Sequence, residues 1–306
     1  MKDIKALHHK NITWYKVFKP EQKGLKKLQE KFNFHPLDIE DCLEKIQRPK
    51  LDIYQNYIFM VLHLPFWADK NPRLETIELK VFVGKNFLIT LNETKIPLLD
   101  ELFYLAKTNA KKRARFFRRS SFHLFYFLFN QLLLDINPLI KEAGKMIDEI
   151  DKQVLSRQYK EVFKQISVMR RNLIVFQTII KPQIPLFRKL EEGKAKVTKG
   201  IYPYYWGNLV DRLRSVWEQL EDYMQILEGL ATTNESLLTY KTNEIIKILT
   251  IFSVVLLPLT LISGIYGMNI RTLPFLFSPF SFIIISGIMM GIVFLMLGYF
   301  KWKKWV

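Results

Sequence analysis

Charge is almost absent from one part of this 306-residue chain. Between residues 248 and 300 the single formal charge is Arg271, and it lies between two apolar runs, Ile248–Tyr266 of 19 residues and Phe275–Phe300 of 26. The hydrocarbon core of a bilayer is about 30 Å thick and needs roughly 20 apolar residues per helix. The lack of charge therefore excludes a wholly soluble protein and predicts two membrane-spanning helices after a large soluble part.

Several other features that the sequence lacks limit the functional classes to which the protein can belong. Cys42 is the only cysteine, so an intrachain disulfide is excluded and a reducing compartment is expected. Residues 1–20 lack the apolar core of a signal peptide. There is no glycine-rich phosphate loop, so we expect no ATP-driven pump, and no catalytic constellation stands out, so we expect no enzyme. A basic run at residues 111–119 comes without a nucleic-acid-binding motif, and we therefore expect no nucleic acid partner.

The distribution of basic residues predicts the orientation in the membrane. The net charge is +17, and 42 of the 46 basic residues precede residue 248 together with all 29 acidic residues. Lys247 precedes the first apolar run, and three lysines follow the second, whereas the connection between the runs holds only Arg271. By the positive-inside rule both termini are expected in the cytoplasm, in a multi-pass protein of the plasma (inner) membrane.

The first 110 residues carry β signals, and the remainder is helical. Ile12–Phe18 is rich in β formers, and Tyr54–Leu64 is a near-continuous apolar run typical of a strand buried on both faces. Gly84-Lys85-Asn86 separates two further β-rich runs, which predicts a hairpin. The predicted fold class is an α/β N-terminal cytoplasmic domain, then long α-helices, then two C-terminal transmembrane helices.

We expect six segments with these boundaries. They are an α/β cytoplasmic domain at 1–114, a helical cytoplasmic domain with a long stalk at 115–247, a first transmembrane helix at 248–269, an external loop at 270–274, a second transmembrane helix at 275–300 and a basic cytoplasmic tail at 301–306.

One helix is expected to cross from the soluble part into the membrane. Apolar residues recur at alternating spacings of three and four, which is a heptad seam, and no proline follows before Pro258. A helix from near Trp206 to Tyr266 would be about 90 Å long and needs neighbours from its own chain or from other subunits. The seam comprises Leu209, Leu213, Val216, Leu220, Tyr223, Leu227 and Leu230.

The same period continues into the first apolar run as a stripe of polar and small residues. Small and hydroxyl residues in a membrane helix normally face protein or water rather than lipid. Two readings remain open from this pattern, tight helix packing or a water-lined pore, and a pore requires an oligomer because two spans cannot enclose one. The stripe comprises Asn243, Ile246, Thr250, Ser253, Leu257, Thr260, Gly264 and Gly267.

Motifs along nearly the whole chain resemble those of the CorA family of divalent-cation (magnesium/cobalt) transporters, the two-transmembrane superfamily with a Gly-Met-Asn motif. Here Gly267-Met268-Asn269 closes the first span. The other matching stretches are His35-Pro36-Leu37 with Glu40-Asp41, Gln47–Lys50, Tyr54–Tyr57, Phe82–Thr90, Lys241–Glu244, Lys247–Thr250, Leu257–Thr260 and the tail Phe300–Val306.

The resemblance implies a funnel-shaped homopentamer whose five first-span helices enclose a pore. Gly267, Met268 and Asn269 would form the selectivity ring, with Asn269 meeting the ion through its hydrating water. Mg²⁺ suits neutral oxygens because it dehydrates reluctantly. No prosthetic cofactor is implied, and Mg²⁺ would be the transported ion and a regulatory ligand. The resemblance also implies which residues line the pore. The hydrophobic gate would consist of Ile246, Leu249 and Leu257. The remaining pore-lining residues would be the polar Asn243, Thr250, Ser253 and Thr260, together with Gly264.

Three positions depart from the pattern that the resemblance implies. Arg271 stands in the loop after the motif, where the family often has acidic residues, so a lower cation affinity or rate is expected. Thr232 and Asn208 stand where aspartates are expected in the pore helix and in the inter-subunit Mg²⁺ sensor. We hypothesise weak Mg²⁺-dependent closure.

Passive, potential-driven transport of Mg²⁺, with Co²⁺ or Ni²⁺ as possible further ions, is the leading interpretation. A Zn²⁺ transporter of the ZntB branch is an alternative, although that branch often replaces the methionine that Met268 retains. A non-conducting membrane scaffold or regulatory paralogue is another alternative, suggested by Arg271 and the missing acids. The intact motif and the hydroxyl stripe favour conduction.

Overall fold

The computed structural model describes residues 4–44, 47–68, 73–154, 159–193, 203–268, 274 and 279–305. The chain divides into two compact units, residues 1–231 and residues 232–306. Along the described residues the elements are β1 Ile4–His9, β2 Ile12–Phe18, α1 Gln22–Phe32, α2 Pro36–Leu43, β3 Lys50–Ile53, β4 Tyr57–Trp67, β5 Leu74–Gly84, β6 Phe87–Asn92, α3 Pro97–Thr108, α4 Ala110–Phe116, α5 Ser121–Leu134, α6 Asn137–Val154, α7 Tyr159–Ile180, a 3₁₀ turn Lys181–Gln183, α8 Ile184–Glu191, α9 Pro203–Gly267 and α10 Ser281–Trp302.

Six strands form one mixed sheet in the first unit. Their order is β1-β2-β6-β5-β4-β3, and every neighbouring pair is antiparallel except β2 and β6, which are parallel. The predicted strand Ile12–Phe18 is confirmed as β2, and the predicted hairpin is confirmed because Gly84 pairs with Phe87 across the turn between β5 and β6.

The long apolar run at Tyr54–Leu64 begins with a turn rather than with a strand. The backbone N–H of Tyr54 donates to the carbonyl of Tyr57 at 2.9 Å, which joins β3 to β4. The polar pair Gln55-Asn56 favours this turn. From Tyr57 to Leu62 every side chain of β4 is buried, as the run predicts for a central strand.

Helices cover the sheet through aromatic contacts. Phe34, between α1 and α2, stacks on Phe82 of β5 with ring centroids 4.1 Å apart, and it belongs to a buried cluster with Leu25 and Ile39. Trp14 of β2 meets Phe103 of α3 edge-on at 4.9 Å. Such pairs contribute roughly 0.5–1.5 kcal/mol beyond the burial of their apolar area.

Helix α9 confirms the prediction of one long helix, and within the first unit its heptad seam is covered by the same chain. Leu209, Leu213 and Leu220 are fully buried, and Trp206 lies among the aromatic rings of Phe125 and Phe187 at centroid distances of 6.0 and 6.4 Å. The sequence left open whether the neighbours of this helix come from its own chain or from other subunits. For the heptad seam they come from its own chain.

The second unit holds the two apolar helices. The apolar part of α9 and all of α10 are long and apolar enough to cross a membrane by length and composition. Helix α10 begins at Ser281, after Pro279 and Phe280 in a turn, and is shorter at its start than the apolar run from Phe275. Residues 275–278 of that run lie outside the described residues.

Candidate functional site

The stripe that the sequence singled out is exposed along its whole length. Its apolar members Ile246 and Leu257 expose 54% and 67% of their surface, and Leu249, the third expected gate residue, exposes 65% beside the stripe. The polar and small members are exposed as well, and they are Asn243, Thr250, Ser253, Thr260 and Gly264. A single chain therefore leaves this face of α9 uncovered.

A different face of the same helix segment is half-buried. Its residues recur at spacings of three and four, so they form one band, and at 100° per residue this band lies roughly opposite the polar stripe. Helix α10 has a half-buried band of its own, as expected for two helices that pack along each other. The bands comprise Ile251, Val255, Pro258, Ile262 and Tyr266 on α9 and Ile285, Met289, Ile292 and Met296 on α10.

The hydroxyl groups of the stripe donate their protons to the helix backbone. Thr250 Oγ1 donates to the carbonyl of Ile246 at 2.8 Å, Ser253 Oγ to Leu249 at 2.9 Å and Thr260 Oγ1 to Leu257 at 2.8 Å. A hydroxyl oxygen has two lone pairs in addition to its one proton. Because the proton of each hydroxyl is donated to the backbone, only its lone pairs remain available, and these accept hydrogen bonds. The water molecules around a cation direct their hydrogens outward and can donate to such acceptors.

The Gly-Met-Asn motif is only partly described. Gly267 ends α9, and the N–H of Met268 donates to the carbonyl of Ile265 at 3.2 Å, which closes the last turn of the helix. A Cβ added at Gly267 would meet nothing within 4 Å, so nothing in the described part of this chain requires a glycine there. Asn269 and Arg271, the predicted ion-binding and entrance residues, lie outside the described residues.

Two hydrogen bonds tie the ends of the second unit. Tyr266 Oη donates to the carbonyl of Pro274 at 3.3 Å, near the motif. At the other end Lys247 Nζ donates to the carbonyl of Lys304 at 3.4 Å, and Phe300 stacks on Trp305 at 5.9 Å. Basic and tryptophan side chains therefore gather at one end of the helix pair, as is typical of a membrane interface.

Asn208, at the position where the resemblance implies a sensing aspartate, is already engaged within its own chain. Its Oδ1 accepts from Tyr126 Oη at 3.2 Å and from Arg212 Nε at 3.3 Å. An amide oxygen that is shared with a guanidinium is a poor ligand for a further cation. This geometry supports the hypothesis of weak sensing at this position.

Sequence reasoning missed a group of three carboxylates, although one of them, Asp41, lies in a recognised motif and Asp38 lies between two matching stretches. Asp38, Asp41 and Asp52 bring their oxygens within 4.8 Å of one another. Lys50 forms ion pairs with Asp41 and, at 3.0 Å, with Asp52, so an ammonium already offsets part of the negative charge of the group. The signal was the spacing of Asp38 and Asp41 on one helix together with the Arg-Pro-Lys stretch that supplies Lys50.

Asp38 shows that this motif region has a structural role. Burial raises the pKa of its carboxyl, and the carboxylate accepts from Tyr54 Oη at 3.0 Å and from Tyr57 Oη at 2.7 Å. Tyr57 Oη in turn accepts from the backbone N–H of His35 at 2.8 Å. The residues that carried the N-terminal resemblance thus form one hydrogen-bonded network that fixes α2 against β4.

The chain is similar over nearly all its length to a known family and to its members. The family model described as "CorA-like Mg2+ transporter protein" matches residues 9–303. The cobalt/magnesium transport protein CorA of Thermotoga maritima is 32% identical over 289 residues, which are 92% of this chain and 80% of that protein. The YfjQ protein of Bacillus subtilis is 31% identical over 308 residues, 99% of this chain and 93% of that protein.

A solved structure shows the same fold. The complete CorA magnesium transporter from Methanocaldococcus jannaschii matches with a TM-score of 0.86 and 21% sequence identity, and the match covers 98% of this chain and 93% of that one. The likeness extends through the α/β domain, the long helix and the two apolar helices. On the family match and on the identity to its members, this chain belongs to the CorA-like Mg²⁺ transporter family.

Proposed function

We propose that the protein is a homopentameric channel through which Mg²⁺ moves passively down its electrochemical gradient, with Co²⁺ and Ni²⁺ as further permeant ions. The observation that carries the proposal is the exposed stripe on α9, which combines hydroxyl oxygens with apolar side chains opposite a half-buried face. Its hydroxyls gain nothing from lipid. Several copies of α9 arranged around an axis would cover the stripe and enclose a water-filled path.

The stripe supplies each function that such a path needs. Gly267, Met268 and Asn269 form the outer ring, where carboxamide and carbonyl oxygens hold the hydrated ion. Further along the helix, polar stations alternate with apolar constrictions, which close the path by excluding water. The polar stations are Asn243, Thr250, Ser253 and Thr260, the constrictions are Ile246, Leu249 and Leu257, and Gly264 lets neighbouring helices approach.

Glycine at 264 and 267 supports an assembly of several copies. A Cβ at either position would meet nothing within 4 Å in this chain. Glycine at these positions leaves room for a surface that other copies of the chain would supply, or for backbone oxygens that would face the ion. Either role is compatible with the proposed pore-facing stripe.

The membrane potential is a sufficient driving force. Two charges that cross 100 mV gain about 4.6 kcal/mol, which supports roughly a thousandfold concentration gradient. The proposed topology has the first span at 248–269, the external loop at 270–274, the second span at 275–300 and both termini in the cytoplasm of a plasma-membrane protein. Five copies of Arg271 at the outer entrance would repel cations and lower the apparent affinity.

The test is Mg²⁺ uptake into proteoliposomes under an inside-negative potential. We expect uptake by the wild type and no uptake by Asn269→Ala. Uptake should rise in Arg271→Glu, because this variant reverses the charge at the entrance. Arg118→Glu, which makes the same charge change in the first unit, is the matched control and should leave uptake unchanged. Flux of Zn²⁺ without Mg²⁺ would move the protein to the ZntB branch, and no divalent flux from a well-formed oligomer would contradict conduction.

A further inference from the structure

The first unit contains a basic cleft that ion transport does not use. The cleft has a volume of about 670 Å³ and lies between the β1–β2 edge of the sheet and α3. Among the residues that the structure describes, four lysines line it, against the single carboxylate of Asp100. The lysines are Lys5, Lys16, Lys95 and Lys107.

The fold places two of these ammonium groups side by side. Lys5 and Lys16 are direct partners in the antiparallel register of β1 and β2, and like charges in that position destabilise a strand pair. Lys16 is only 7% exposed although it is a lysine, and it pairs with Asp100. The pKa of Lys16 is lowered to about 8, first by burial and then by repulsion from Lys5 and Lys95. A multivalent anion in the cleft would relieve this repulsion.

Aromatic side chains complete the cleft. Phe103 forms the floor beneath Lys16, whose Nζ lies 5.7 Å from the ring centroid. Phe18 and Tyr104 expose 40% and 64% of their surface in the wall. Exposed aromatic rings next to lysines provide a stacking surface for a planar base, and stacking on an aromatic side chain contributes about 1–3 kcal/mol per base.

We propose that the basic cleft binds a nucleoside triphosphate, with the phosphates among the four lysines and the base on Tyr104. The volume lies within the range of about 300–1,000 Å³ that is usual for small-molecule sites. Lys5, Lys95 and Lys107 are exposed, and an exposed lysine binds phosphate as a mobile point charge, which suits a flexible triphosphate. The chain lacks a glycine-rich phosphate loop, and Asp100 is engaged by Lys16, so the site binds the nucleotide without hydrolysing it. This inference does not rest on the transport activity.

The test is isothermal titration of the purified full-length protein in detergent, with ATP as the probe and EDTA to remove Mg²⁺. The wild type should bind ATP with a Kd of about 1 mM or tighter. The double variant Lys95→Glu/Lys107→Glu changes two exposed residues of the cleft and should weaken binding at least tenfold. The matched control Lys26→Glu/Lys27→Glu makes the same charge change on exposed positions of α1 and should bind ATP as the wild type does.

A second comparison separates the base from the phosphates. Tyr104→Ala should weaken ATP binding and leave the binding of inorganic tripolyphosphate unchanged. Absence of ATP binding to the wild type, equal weakening in both double variants, or tripolyphosphate binding as tight as ATP would each overturn the proposal. Because binding is measured directly, these outcomes are independent of whether the protein conducts ions.

Discussion

Strand β4 and the apolar part of α9 have similar side chains in opposite surroundings. Phe59 and Val61 of β4 are completely buried, whereas Phe252 and Leu257 of α9 expose 64% and 67% of their surface. The first unit covers its apolar residues with its own helices. The second unit presents an apolar surface that lipid would cover, together with other copies of the chain in the assembly that we propose. Equal hydrophobicity therefore has two consequences, a folded core in one region and an interface in the other.

The same truncation, phenylalanine to alanine, should have very different consequences for stability in the two regions. Phe59→Ala should lower the free energy of unfolding by about 3–5 kcal/mol, because it leaves a cavity in a fully packed core. Phe252→Ala removes an equal volume from an exposed position and should change it by less than about 1 kcal/mol. Thermal unfolding of both full-length variants in detergent measures the difference, and equal losses would contradict the comparison.

The next effect concerns the polar network that fixes the first unit. Tyr57→Phe removes the hydroxyl that donates to Asp38 and accepts from His35, and Tyr57 is only 4% exposed. We expect a loss of about 1–3 kcal/mol in unfolding free energy, because buried polar groups lose their partner. Tyr104→Phe, at a 64% exposed position, is the control. A Tyr57→Phe variant as stable as its control would show that the network is dispensable.

In the second unit the same logic predicts a gain of function. Leu257→Ser places a hydroxyl at a proposed constriction and should raise Mg²⁺ flux roughly tenfold, because a polar constriction stays hydrated. Leu256→Ser is the matched control, since it makes the same change at a 52% exposed position outside the stripe. Proteoliposome uptake compares the two variants. A similar rise of Mg²⁺ flux in both variants would show that the stripe controls flux no more than the other faces of α9 do.

The smallest effect is expected at Asn208. Asn208→Asp keeps the acceptor for Tyr126 and Arg212 and adds a negative charge, so closure by Mg²⁺ should occur at a concentration a few-fold lower. Gln219→Glu adds the same charge at an exposed position further along α9 and should not shift closure. Uptake measured over a range of internal Mg²⁺ concentrations tests this. Sharp closure of the unmodified protein at millimolar Mg²⁺ would contradict weak sensing.

Local patterns in the sequence predicted the elements well where one period dominates. The hairpin at Gly84–Phe87 and the continuous helix from Pro203 follow from turn residues and from heptad spacing, both of which are local properties. The start of α10 at Ser281 was missed because apolar residues continue on both sides of Pro279. Hydropathy alone does not indicate at which residue of an apolar run the helix begins.

Sites built from distant residues were not predictable in the same way. Lys5 and Lys107 are separated by about a hundred residues, and only the sheet order and the position of α3 bring them into one cleft. In the carboxylate group, Asp38 and Asp41 share one helix, but Asp52 joins them only because strand β3 lies beside that helix. The stripe on α9 was predictable because a helix places residues of one period on one face.

The proposed pore requires that the stripe faces a water-filled path while the other exposed faces of α9 meet lipid. Cys42 is fully buried and its thiol pKa is raised to about 12 by burial, so the unmodified protein offers no reactive thiol. A small cationic thiol reagent should block Mg²⁺ uptake when Ser253 is replaced by cysteine, and should leave uptake unchanged when Phe252 is replaced by cysteine. Equal sensitivity of both variants, or no effect in either while the wild type conducts, would show that the stripe does not line the path of the ions.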